Sequence, residues 1–160
     1  MSIPLLACMV TVAAFYHLPP RVLPSIQAVE GGYLGAVHVN ADGTEDLGVM
    51  QVNTRWLDKL APVARMTPDS VRARLLQDGC FNIAAAGAIM RAYLNETRGN
   101  LMMAVGYYHS HTPALNLAYQ EKVLASAVQL FQKQQCCNTS PPHAREQLRR
   151  TGGAVSGSHD

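Results

Sequence analysis

Residues 26–53 read IQAVEGGYLGAVHVNADGTEDLGVMQVN, and the fold turns on how this stretch is divided. Val22, Leu23, Ile26 and Val29 recur at helical spacing and lead straight into Glu30. Gly31 and Gly32 follow at once. Either glycine can take the left-handed conformation that stops a helix, so the spacing predicts a helix over residues 20–30 with a carboxylate at its C-terminus. The macrodipole disfavours negative charge there and apolar neighbours disfavour it further. The Glu30 carboxyl is thereby biased toward a raised pKa, the condition for a general acid near neutral pH. Position alone does not make it catalytic, because a glutamate near a helix end is more commonly a solvated side chain.

After Gly35 the period changes. Val37 and Val39 alternate with His38 and Asn40, and Asp42-Gly43 follows as a two-residue hairpin signal, so one lip of a cleft beside Glu30 is expected here. Leu47-Gly48 predicts a tight turn, and residues 50–61 a short helix that aims Gln51 at the cleft, with Trp56 and Leu57 packing. Thr67-Pro68-Asp69 is a cap followed by proline and opens a helix whose inner side is Val71, Leu75 and Leu76. Asp78-Gly79 punctuates. Cys80, Ile83, Gly87, Met90 and Leu94 then share a stripe of a long central helix, with small residues at 84–88 that let neighbours approach closely. A short helix over residues 100–108 follows. Thr112-Pro113 opens the last helix, with Leu117, Val123, Leu124, Val128, Leu130 and Phe131 as its apolar side.

In the other direction, residues 3–16 form an uncharged apolar run too short to span a bilayer. It reads as a buried first helix, ended by Pro19-Pro20, or as a signal-peptide core cut after Ala14 that lacks any basic residue before Arg21. The whole chain has 160 residues, one domain's worth, of which 48% are hydrophobic and 15% charged. A chain of that length buries about 70% of its unfolded surface, enough for a real core. A net charge of +2 gives no argument for nucleic acid and would tolerate an anionic polymer. No phosphate loop, zinc spacing or repeat occurs, so neither metal nor cofactor is expected. His109-Ser110-His111 has metal-like chemistry but no acidic partner nearby in sequence, and Met50, Met66, Met90, Met102 and Met103 read as core fillers.

Four blocks together resemble the soluble lytic transglycosylase family. Asp46 to Asn53, DLGVMQVN, is similar to that family's Gly-Leu-Met-Gln block, and Glu30 stands where the family carries its catalytic glutamate. Cys80-Phe81-Asn82-Ile83 looks like the Cys-x-Asn-Ile helix start of the subgroup that accompanies type III and type IV secretion and conjugation machinery. Tyr107-Tyr108-His109-Ser110, with the later Tyr119, is similar to the subgroup's Tyr-His-Ser block. The resemblance covers about residues 5–131. Two departures stand out: Gly31 replaces the usual serine after the glutamate, and His109-Ser110 replaces the Asn-x-Gly that follows the tyrosine in most of the wider family.

The resemblance implies a mainly α, lysozyme-like domain of the goose-type lysozyme and lytic transglycosylase kind, with a small β-hairpin, over residues 1–134, while residues 135–160, rich in Ser, Gly, Pro and Thr and without a core pattern, read as a disordered tail. It implies cleavage of the β-1,4 bond between N-acetylmuramic acid and N-acetylglucosamine in peptidoglycan. Glu30 acts as acid and then base, the products carry 1,6-anhydro ends, and no cofactor is used. Gln51, Asn53, Tyr108, Tyr119, Asn40 and Met50 fall to substrate binding, with the Tyr108 hydroxyl holding Glu30 or the sugar and Tyr119 lining the same wall. The implied partners are glycan strands and components of a secretion or conjugation machine, and the implied location is the periplasm or the outside of a bacterial envelope, with no export signal evident. The implied first helix often carries a cysteine like Cys8. A bridge to Cys80 would close a long loop worth on the order of 4 kcal/mol in the chain-entropy reading, and two buried free thiols are the alternative. Cys136 and Cys137 stay unassigned. Two rival functions remain open: a hydrolytic muramidase that uses Glu45 or Asp46 as a second carboxylate, and a non-catalytic peptidoglycan-binding or assembly module.

Overall fold

The computed structural model describes residues 3–138, with side chains through residue 132. Among the described residues the chain is mainly helical. It forms α1 (Leu6–Phe15), α2 (Val22–Glu30), the strands β1 (Val37–Val39), β2 (Glu45–Leu47) and β3 (Val52–Asn53), and a 3-10 turn (Thr54–Trp56). Then come α3 (Leu57–Ala64), α4 (Pro68–Gln77), α5 (Gly79–Glu96), α6 (Leu101–His109) and α7 (Pro113–Asn138). The strands make one antiparallel sheet in the order β1-β2-β3, with Val37 opposite Leu47 and Asp46 opposite Asn53. Among the described residues, those up to Val128 form one compact unit and residues 129–138, the end of α7, fall in a second. That helix runs through Cys136 and Cys137 to Asn138, past the residue at which a tail was expected. The remainder of that expected tail, residues 139–160, lies outside the described residues.

Three helix starts have a local cause. Thr67 accepts from Ser70 N ahead of Pro68, Asp78 accepts from Phe81 N at 3.0 Å, and Asn100 accepts from Met103 N at 3.1 Å, so α4, α5 and α6 all begin on a capping side chain. Helix α5 is the centre of the core and buries Ile83, Ala86, Ile89, Met90 and Leu94. Gly87 is required where α1 crosses it, because a Cβ there would strike Val12 Cγ1 and lie 2.8 Å from Tyr16 Cδ2. Cys8 and Cys80 join the same two helices by a disulfide, with 5.5 Å between their Cα atoms. Cys80 itself is exposed at the first turn of α5, so it is not part of that helix's buried stripe and the pair of buried thiols does not arise.

Other expectations fail for identifiable reasons. The helix expected over residues 50–61 starts only at Leu57, because residues 48–51 form a turn in which Gln51 takes φ 49° and Val52 then pairs with Leu47. The hairpin loop is longer than the two-residue signal suggested. Asn40 N donates to Thr44 O at 2.8 Å and Gly43 takes φ 82°, the form of a longer loop closed by a left-handed glycine. All three residues of β1 are exposed, so its alternation marks an edge strand rather than a core face. Helix α1 buries only Met9 and Ala13, leaving Val10 and Phe15 exposed, since α5 and α2 cover it from one side. Helix α7 turns Asn116, Tyr119 and Val123 inward and leaves Leu117, Leu124 and Val128 exposed. Polar partners decided that face: Asn116 donates to the carbonyls of Met103 and Ser110, and Tyr119 has an acceptor described below.

Candidate active site

Helix α2 stops at Glu30 because Gly31 takes φ 63° and returns its N–H to the Gln27 carbonyl at 2.9 Å. Gly32 has a different task. Its φ is not positive, but a Cβ would strike the Gly48 carbonyl and lie 2.7 Å from that of Val49. One glycine ends the helix, and the other lets the backbone of the turn at residues 48–51 come against the chain just after the carboxylate. Asn82, fully buried on α5, fixes the far side of that turn: its Oδ1 accepts from Met50 N at 2.8 Å, and its Nδ2 donates to the carbonyls of Leu47 at 2.8 Å and Leu75 at 3.0 Å. Gly48, at φ 69°, leaves the space the Asn82 amide occupies.

Glu30, half-buried, lines a cleft of about 650 Å³ together with Gln51, Asp46 and Tyr108. The Tyr119 hydroxyl donates to Glu30 Oε1 at 2.5 Å. Oε2 has no protein donor among the described residues and is not sealed off, so it faces the cleft. Burial pushes the carboxyl above the ordinary range; the Tyr119 hydrogen bond pulls it back, the charge of Asp46 adds to the rise and that of Lys122 opposes it. Burial also raises Tyr119, and the neighbouring carboxylate raises it further, so its proton stays on the phenol and it acts only as a donor. The two tyrosines take roles other than those expected: Tyr119, buried behind Glu30, holds the carboxylate, while Tyr108 donates to the Met50 carbonyl at 2.9 Å and braces the turn. The His109 ring stacks on Tyr119, with centroids 5.0 Å apart, and covers it from the cleft side.

The hairpin lip is a closed network. Asp46 accepts from Asn53 Nδ2 at 2.7 Å and from Asn40 Nδ2 at 3.0 Å, and both amides also donate to Thr44 Oγ1. Asn53 Oδ1 caps the 3-10 turn through Arg55 N at 3.0 Å. Asn40, Asp46 and Asn53 all line the cleft, yet both oxygens of Asp46, both polar side-chain atoms of Asn53 and the Asn40 amide nitrogen are already partnered. Gln51 lines it too, with its Nε2 on the Gly48 carbonyl at 2.9 Å. Two candidates fall outside. Met50 is fully buried, so its side chain belongs to the core and not to substrate contact. Glu45, next to Asp46 on a strand, points to the opposite face, where its Oε2 accepts from Arg72 Nη2 at 2.6 Å, and it does not line the cleft.

The other end of the cleft is aromatic, a feature the sequence reading missed. Trp56 meets Tyr93 edge to face at 5.4 Å, and His111 stacks on Tyr107 at 3.9 Å. Trp56, expected only to pack, has one face available for the Lys59 ammonium, which lies 4.9 Å from the ring centroid. His111 does have an acidic partner, since Glu96 Oε1 lies 3.0 Å from its Nε2. Glu96 ends α5 and His111 follows α6, so it is the packing of those two helices that brings the pair together. A weak signal existed in the run of Tyr93, Tyr107 and His111 at helix ends. Among the described residues no group of three metal-ligating side chains occurs, and no helix is long and apolar enough to cross a membrane. Compared with known proteins, the chain matches no family model, and no curated protein matches it.

Proposed function

We propose that the chain is a lysozyme-like lytic transglycosylase that cuts peptidoglycan between N-acetylmuramic acid and N-acetylglucosamine, with Glu30 as its one catalytic carboxylate. The observation that carries this reading is Glu30 itself, desolvated at the end of α2, held on one oxygen by Tyr119 and open to the cleft on the other. A carboxyl so placed is protonated to higher pH than an exposed one and can give its proton to a departing glycosidic oxygen. As that bond breaks, the substrate's own N-acetyl oxygen stabilises the cationic sugar carbon. Glu30, now ionised, takes the proton of the muramoyl C6 hydroxyl, whose oxygen closes on C1, and a 1,6-anhydro end leaves without uptake of water. Gln51, on the turn beside Glu30, would position the sugar, and Tyr108, on α6, would hold that turn through its bond to the Met50 carbonyl. An opening made locally in the wall suits a secretion or conjugation apparatus as partner, and the disulfide suits an exported, periplasmic protein.

A hydrolytic reading has one observation in its favour: Asp46 shares the cleft and is near enough for its charge to raise Glu30. It would use Asp46 to activate a water. Against it, both Asp46 oxygens already accept amide hydrogen bonds. Digesting purified sacculi in water enriched in oxygen-18 and weighing the products separates the readings. Unlabelled anhydromuramoyl ends are expected; label at the muramic C1 would make the chain a hydrolase, and intact sacculi would leave it a binding module.

A further inference from the structure

The two ends of the cleft differ in how their charges are satisfied. At the hairpin end Asp46 is tied to two amides, and Asp42 to Thr44, with Arg55 3.8 Å away. At the aromatic end Glu96 is tied to His111. Arg55 is held by Asn53 Oδ1 at 2.9 Å as well as by Asp42. Lys59 is the exception: it lines the cleft, no carboxylate lies within ion-pair distance of it among the described residues, and its ammonium is steadied only by the face of Trp56. An ammonium so placed is an unneutralised donor beside an aromatic wall, and a carboxylate carried next to a ring-shaped or apolar group is the ligand that suits it.

We propose that this end of the cleft is a subsite for the anionic stem peptide that peptidoglycan carries on its muramoyl lactyl group, with Lys59 reading a carboxylate of that stem and Trp56 supporting it. This rests on the peptidoglycan reading above and adds a substrate preference to it: peptide-bearing strands are taken ahead of strands stripped of peptide. Glu30 and Gln51 line the same cleft, so one glycan strand can lie across the carboxylate while its stem reaches Lys59. Arg55, already partnered, adds positive potential without competing for the carboxylate.

Binding can be read apart from turnover in the Glu30→Gln protein, using muropeptide oligomers with intact stems, the same oligomers stripped by an amidase, and a third set whose stem carboxylates are amidated. Intact stems are expected to bind about three- to fivefold more tightly than either other set, the range a partly exposed ion pair supports. Adding Lys59→Met should remove most of that ratio, and Lys59→Arg should retain it. Equal weakening by Lys59→Met on all three sets would show that Lys59 only braces Trp56, and an unchanged ratio would show that it reads nothing; either overturns the proposal. If wild-type protein cleaves sacculi while no preference for intact stems exists, the stem subsite fails and the transglycosylase reading stands. If no oligomer binds and no sacculus is cut, both fall.

Discussion

Asn82 and Glu30 are both polar side chains set against the turn at residues 48–51, and they differ in what is left over. Asn82 is fully buried and each of its polar atoms is spent on backbone, on Met50 N and the carbonyls of Leu47 and Leu75. Glu30 has one donor, Tyr119, and one oxygen facing the cleft. A satisfied buried amide fixes a backbone; a desolvated carboxylate with an open oxygen stores the capacity to move a proton. The same turn serves both, since the group that places it and the group that uses it approach from opposite sides.

The sharpest way to break this contrast is to exchange the carboxylate for an amide. Glu30→Gln should lower turnover on sacculi by about a hundred- to ten-thousand-fold, the worth of a positioned general acid, while circular dichroism stays native. Residual activity within a few fold of wild type would remove Glu30 from the mechanism. The same variant makes a stability prediction with a definite sign. Because burial raises the Glu30 pKa in the folded state, the carboxylate costs stability once pH exceeds that folded value and nothing below the ordinary carboxyl range. Glu30→Gln should therefore melt above wild type at neutral and alkaline pH, and the gap should close by about pH 4.

Asn82→Ala tests the other half. It leaves the Met50 N–H and the Leu47 and Leu75 carbonyls without their partner in a dry interior, and should cost about 3 kcal/mol in denaturant unfolding. A loss below about 1 kcal/mol would mean the turn is held by something else. The two tyrosines sharpen the contrast at smaller scale. Tyr108→Phe removes a hydrogen bond to the Met50 carbonyl and should cost about 1 kcal/mol of stability. Tyr119→Phe removes the bond that lowers Glu30, so the alkaline limb of the activity profile, where the acid loses its proton, should move to higher pH. Asp46→Asn, which removes a charge that raises Glu30, should move that limb the other way. If both variants shift it in the same direction, the electrostatic account of Glu30 is wrong. Smallest of all, Glu45→Gln should leave the cleft chemistry intact and cost at most about 1 kcal/mol, because its ion pair with Arg72 is partly exposed and lies off the cleft.

Much of this was legible in the chain because it rests on local rules. The end of α2 at Gly31, the capping side chain Thr67, the break at Asp78-Gly79 and the placing of Asp42-Gly43 in a turn are decided within a few residues of themselves. What was misread is long-range. Residues 50–61 carry a helical pattern, but the bond that Met50 N donates to Asn82 Oδ1, more than thirty positions away in sequence, helps hold residues 48–51 in a turn that helical spacing cannot foresee. Helix α7 offers Leu117 and Leu124 as an apolar stripe, and the partners of Asn116 and Tyr119 turn it elsewhere. The same limit hid the pairing of Glu96 with His111 and exchanged the expected tasks of Tyr108 and Tyr119.

The disulfide has one more consequence. Cys8 and Cys80 are 72 residues apart, and Glu30, the hairpin, the turn at residues 48–51 and Trp56 all lie between them in the chain. The segment that carries Glu30 and the turn is thus a covalent ring, closed through α1 and α5. A protease that nicks the exposed loop at Asp42-Gly43 opens the ring without releasing a fragment: the two pieces stay tethered, travel together on a denaturing gel, and part only when a reductant is added.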